Sequence, residues 1–322
     1  MTADATEPGG RIGRGGLAAQ GFLLAASIFS MSSAPGQTAD LRRHYATDGA
    51  TLEFEVPYAR VEQTVLALDL FLPRAGEAPC PVIVFIHGGA WMTGQRFDIP
   101  REIIALTSHG YAVATVDYRL SRYDRFPANV HDVKASVRFL RGNARKYGLD
   151  PDRIALVGLA AGGHLAILAG NACGDLEGTI GDHTDVSSVP QAIVSFHGPT
   201  NLRTILLQRT PTGMGKHRPP VEQMLGGPPE KRPDWARLAS PVEHINANAP
   251  PILLVHGDAD DQVPVDQAYE MQAAYRKTGS TVEMLITEGA NHRSLKRMDQ
   301  RRIAAMEKFL GQHMPGREPP RP

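Results

Sequence analysis

Leu52, Phe54 and Val56 alternate with polar residues, and residues 65–72 repeat that period of two. The alternation predicts a pair of antiparallel strands. Apolar runs follow at 82–86, 112–116 and 154–157, with two more at 193–196 and 252–255. Runs of this kind predict strands buried on both faces, as in a parallel sheet, and residues 282–286 supply the last strand. Between them the period lengthens. Val130, Val133, Val137, Leu140 and Ala144 mark one face of an amphipathic helix, which Gly148 and Pro151 end. Similar patterns predict helices over 100–108, 266–277 and 299–311. Strands alternating with helices predict an α/β fold, a mostly parallel, doubly wound sheet with helices on both faces. Residues 41–314 are expected to form that one domain.

Three stretches break the pattern. Residues 200–247 are rich in Pro, Gly, Arg and Lys, and a long irregular insertion is often a functional lid. It is expected to cap a pocket through residues 205–207 and Trp235. At the start, Arg11 and Arg14 precede an apolar stretch from 17 to 29, followed by small and polar residues. That order marks residues 1–40 as a secretory-signal-like or disordered segment, so the chain is expected to be secreted or periplasmic, or otherwise cytoplasmic. The run is too short for stable membrane insertion. The Pro- and Arg-rich tail, 315–322, is expected to be disordered.

Composition narrows the function. The 322 residues are 42% hydrophobic and 21% charged, enough apolar material for a large core. Lys+Arg and Asp+Glu both number 34, and this balance argues against a nucleic-acid partner. Cys80 and Cys173 lack metal-site spacing, and the 12 histidines are scattered, so no metal or cofactor is expected. Whether the two cysteines pair is open, and the sequence assigns no oligomeric state.

In open parallel sheets, ligands bind at the carboxyl ends of the strands, and four motifs lie at such ends. His87-Gly88-Gly89-Ala90-Trp91 follows the run 82–86. Its glycines allow a tight bend whose N–H groups face a developing oxyanion. Gly158-Leu159-Ala160-Ala161-Gly162 follows 154–157 and leads into an apolar helix. That is the frame of a nucleophile elbow, with alanine where the serine belongs. Three aspartates, Asp258, Asp260 and Asp261, follow 252–255, and any of them is placed to orient an imidazole. His292 follows the last strand and suits a general acid–base role. The order elbow, acid, base is that of the α/β-hydrolases.

With these motifs in view, residues from about 45 to 312 resemble the α/β-hydrolase superfamily. The likeness is strongest to bacterial esterases and lipases of the BD-FAE (feruloyl-esterase-like) and hormone-sensitive-lipase-like group. HGGAW at 87–91, DYRLS at 117–121, FPANVHDV at 126–133, DPDRIALVG at 150–158, AGGHLA at 161–166, HGDADDQVP at 256–264 and EGANH at 288–292 carry it. The resemblance implies a carboxylesterase-type serine hydrolase working through an acyl-enzyme. Gly88, Gly89 and Ala161 would supply oxyanion donors, Asp260 the acid and His292 the base. His87, Ala90 and Trp91 would border the substrate pocket. The partner implied is a small-molecule ester, an acylated carbohydrate being one class.

Ala160 departs decisively from that pattern, because a methyl group cannot attack a carbonyl carbon. The alanine fits either a serine-to-alanine change made to trap substrate or a natural loss. A non-catalytic ligand-binding pseudo-hydrolase is therefore the alternative, and a serine peptidase of the same superfamily is a further one.

Overall fold

The computed structural model describes residues 50–73, 79–214, 218–294 and 298–314. The signal-like segment and the C-terminal tail lie outside the described residues. Ten strands are present among those described. They are β1 (Thr51–Val61), β2 (Thr64–Leu72), β3 (Cys80–Ile86), β4 (Ala112–Val116), β5 (Leu149–Leu159), β6 (Ala192–Phe196), β7 (Arg209–Thr210), β8 (Gly213–Met214), β9 (Ile252–Gly257) and β10 (Val282–Thr287). Eight form one sheet in the order β1-β2-β4-β3-β5-β6-β9-β10, and β7 and β8 make a separate hairpin. The two N-terminal strands are antiparallel, as the alternation predicts, while β4 through β10 in that order run parallel.

The continuous apolar runs are explained by burial on both sides. In β3, Val82, Val84 and Ile86 enter one core, with Val130, Val133 and Val137 of helix Ala128–Gly142 and Leu165 of helix Ala161–Asn171. Ile83 and Phe85 enter the opposite core, with Ile103, Ile104, Phe309 and Leu310. No face of this strand is free for a polar residue, so the period of two vanishes from its sequence. This is the doubly wound arrangement expected for an α/β-hydrolase.

Two elements differ from expectation. The helix expected at 100–108 is α-helical only over Arg101–Ile104 and tightens to 3₁₀ geometry over Ala105–His109. There the hydroxyls of Thr107 and Ser108 donate to the carbonyls of Ile104 and Ala105, and such local bonds compete with regular helix. Among the described residues, the insertion at 200–247 packs into the domain body rather than over a pocket. Ile205, Val221, Met224, Leu225 and Ala236 pack into the same core as helix Ala161–Asn171. Trp235 meets the Phe126 ring edge-on at 5.6 Å, and Leu207 is exposed. Most of its apolar side chains pack against the domain body, and among the described residues none of the insertion lines the cleft described below.

Candidate active site

The bend after β5 is the most constrained part of the site. Ala160 has φ 49° and ψ −115°, a strained conformation for a residue bearing a Cβ. Neighbours hold it there. Its amide donates to the carbonyl of Phe196 at 2.9 Å, and its own carbonyl accepts from the amide of His164 at 3.0 Å. The flanking glycines are dictated by contact. A Cβ on Gly158 would lie 2.2 Å from the Gly162 carbonyl oxygen, and one on Gly162 only 2.0 Å from that of Ile86. Backbone presses on backbone at both places, with no flexible side chain to yield. Gly162→Ala is therefore expected to destabilise the protein by about 3 kcal/mol, the upper range for overpacking. A urea midpoint equal to the parent's would show that the β3 carbonyl moves freely.

The loop after β3 lies directly against this bend. A Cβ built on Gly88 would be 3.6 Å from the Ala160 methyl. Ala90 and Trp91 both take left-handed φ values, 54° and 60°, although Ala90 stands where the family pattern has glycine. Trp91 explains how that strain is held. Its indole Nε1–H donates to His164 Nδ1 at 3.1 Å, and its carbonyl accepts from the Ser121 amide at 2.8 Å.

His87 is not a pocket residue. Its buried ring stacks on Tyr118 at 4.3 Å, and the Tyr118 hydroxyl donates to the His87 carbonyl. It supports the loop from behind. His164, one turn into the helix, likewise faces away from the cleft. Because an indole N–H only donates, Nδ1 of His164 accepts, and its Nε2–H donates to the Ala239 carbonyl at 2.8 Å.

Burial pushes the His164 pKa down from 6.5 to about 4. The folded state therefore binds fewer protons than the unfolded chain between those values. Its stabilising contribution is complete above pH 6.5 and is lost as pH falls toward 4, on the order of 3 kcal/mol in all. Stability should decline across that window in denaturant titrations, and His164→Gln should flatten the decline. An unchanged slope would remove His164 as its source.

The loops after β9 and β10 bring the remaining groups together. Of the three aspartates, Asp260 alone meets the imidazole of His292, Oδ2 to Nδ1 at 2.8 Å. Its Oδ1 accepts from the amides of Gln262 and Val263, at 2.8 and 2.9 Å. Burial alone would raise this carboxyl's pKa. Hydrogen bonds and attraction from His256 and His292 outweigh it and hold the group well below the usual carboxylate range. Asp258 instead stitches the two loops, accepting from the Gly289 amide at 2.7 Å. Asp261 lies in the bend just after Asp260.

These pieces open on one cleft of about 720 Å³. Gly88, Gly89, Ala90, Trp91, Ala160, Ala161 and His292 all line it. Thr93, Asp98, Ile99, Pro100 and Glu102 form a wall beside them. Among the described residues, none from the 200–247 insertion takes part, and neither does His87.

Sequence reasoning missed two histidines. His197, at the carboxyl end of β6, lines the cleft with its ring 4.3 Å from that of His292. His256, the last residue but one of β9, places Nε2 3.5 Å from Asp260 Oδ2. The available signal was position: both stand at strand ends on the crevice side.

Among known proteins, the BD-FAE family model matches residues 68–275. Esterase LipC of Mycobacterium tuberculosis is 32% identical over 228 residues, covering 66% of this chain and 53% of that protein. Probable carboxylic ester hydrolase LipM of the same organism is 33% identical, covering 73% and 53%. The chain thus spans about half the length of these curated relatives. Among solved structures, a truncated carbohydrate esterase from gut microbiota superposes with a TM-score of 0.74 at 28% identity, covering 84% of this chain and 98% of that one. The thermophilic esterase Est2 of Thermogutta terrifontis gives 0.67 at 27% identity, covering 82% and 94%.

Proposed function

Because the chain belongs to the BD-FAE family of α/β-hydrolases, we propose that its cleft receives a small carboxylic ester. The carbonyl oxygen lies against the amides of Gly88, Gly89 and Ala161, and the carbonyl carbon over Ala160. His292 is the acid–base group, held by Asp260. The observation that carries this reading is the 2.8 Å Asp260–His292 contact opening on the same cleft as the left-handed Ala160. A carboxylate that keeps Nδ1 protonated leaves Nε2 as the base, the arrangement general-base catalysis requires.

With serine at position 160, Nε2 would take the hydroxyl proton as the oxygen attacks. The alcohol would leave with that proton, and water would then release the acid by the same steps. With alanine the covalent route is closed. What remains is binding plus the pull of the oxyanion donors, worth roughly 10³–10⁴-fold over water. Assay of short-chain p-nitrophenyl esters before and after Ala160→Ser tests the proposal, and identical turnover would overturn it.

Ala160 itself favours a second reading, a ligand-binding protein that uses the cleft without chemistry. Acylated carbohydrates are the ligands to try, given the carbohydrate esterase among the structural neighbours. Calorimetry on the unchanged chain distinguishes the readings. A tight complex together with no gain from Ala160→Ser would establish the second.

A further inference from the structure

The wall of the cleft carries charge of one sign. Asp98 and Glu102 are exposed along it, and among the described lining residues there is no Lys or Arg. We propose that this wall selects esters bearing a positive charge, with Asp98 and Glu102 as the specificity-determining residues. The inference rests on the reading of the cleft as an ester site and names the class of ester it takes.

The loop that carries the wall has a base of its own, and that base is turned away. Arg96 is buried, with its guanidinium 3.1 Å from both Asp69 and Glu55 and in contact with Asp117. Three carboxylates share one cation there, so Arg96 has no charge left to offset Asp98. Arg101, beside Glu102 in sequence, does not line the cleft. Among the described residues Asp98 accepts only from the Gln95 amide, at 3.1 Å, and no ion pair engages Glu102.

The same clamp makes the wall rigid. The Arg96 amide donates to Asp117 Oδ1 at 2.9 Å, and its carbonyl accepts from the Thr115 hydroxyl at 2.6 Å. Asp98 is thereby held close enough to the loop after β3 for its charge to act on His87 and Tyr118. Glu102 stands where the cleft adjoins a second hollow of about 310 Å³, and it lines both. A ligand laid along this wall from Gly88 toward that hollow meets both carboxylates.

A concave site lined by fixed charge of one sign focuses its field and concentrates ligands of the opposite sign. An exposed ion pair shifts an equilibrium by up to about fivefold, so the two carboxylates together predict a preference of about 10-fold. An uncharged sugar ester would gain hydrogen bonds from the same wall but nothing from its charge, which is the difference the experiment reads.

The test uses two pairs of esters on the full chain. Choline butyrate carries its cation on the alcohol and betaine ethyl ester on the acyl group, and each is compared with the neutral isostere having carbon in place of nitrogen. Binding to the unchanged chain is read by calorimetry, and kcat/KM in the Ala160→Ser form by proton release. At low salt the cation is expected to win by about 10-fold in at least one pair, and the margin should shrink as salt screens the wall. Asp98→Asn with Glu102→Gln should bring the ratio to within about twofold of unity. Because the ratio is taken within each variant, a general loss of folding or turnover cancels from it. Equal or undetectable binding of the charged and neutral members in both pairs, or a preference that survives the double variant, would overturn the inference. A preference seen by calorimetry in a chain that gains no hydrolysis from Ala160→Ser would instead sink the hydrolase reading alone.

Discussion

Ala160→Ser is expected to raise turnover of short-chain p-nitrophenyl esters by at least 10³-fold. Loss of the nucleophile alone from a complete triad costs about 10⁶-fold in a well-studied protease, with 10³–10⁴-fold over water left behind. A thousandfold gain is about 4 kcal/mol of transition-state stabilisation, and the structure indicates that little must be rebuilt to obtain it. The strained backbone at 160 is already held by hydrogen bonds to Phe196 and His164. His292 and Asp260, the proposed base and its carboxylate, are in contact, and the Gly88 loop lies against the residue to be changed. One oxygen atom is all that is added. A gain under tenfold would mean that His292 cannot reach position 160, and the hydrolase reading would fall with it.

Much of this was legible from the chain. Strands buried on both faces write continuous apolar runs, so β3 to β6 and β9 stand out by their residues alone. The glycines at 158 and 162 were legible as an elbow because backbone contacts at 2.2 and 2.0 Å allow nothing larger. Asp260 was singled out only through family likeness, since Asp258 and Asp261 have the same chemistry. Spacing along the chain does not say which carboxylate turns inward.

The failures share one cause, which is that side-chain direction depends on packing. His87 belongs to the cleft-forming loop, yet its ring turns back to stack on Tyr118. Residues 200–247 have the composition of a lid, but most of their apolar positions find partners in the domain body. His197 ends an ordinary buried strand, and nothing nearby in sequence marks it. Its meaning comes from His292, 95 residues further along the numbering.

In the Ala160→Ser background, Asp260→Asn is expected to lower kcat by about 10⁴-fold with little change in KM. The direction follows from the hydrogen bonds of the turn. Two amides, from Gln262 and Val263, donate to the oxygen at Oδ1. An asparagine here must put its carbonyl oxygen in that place, because an NH₂ group cannot accept. Its NH₂ then takes the place of Oδ2 and donates toward Nδ1 of His292. The imidazole answers by accepting at Nδ1 and carrying its proton on Nε2. That nitrogen can no longer take the serine proton, although every heavy atom stays near its present position. Binding, set by the loop amides and the cleft wall, is left intact. Steady-state kinetics with a soluble short-chain ester reads both quantities. A kcat loss under tenfold would show that another group orients His292, and Asp260 would lose its assigned place.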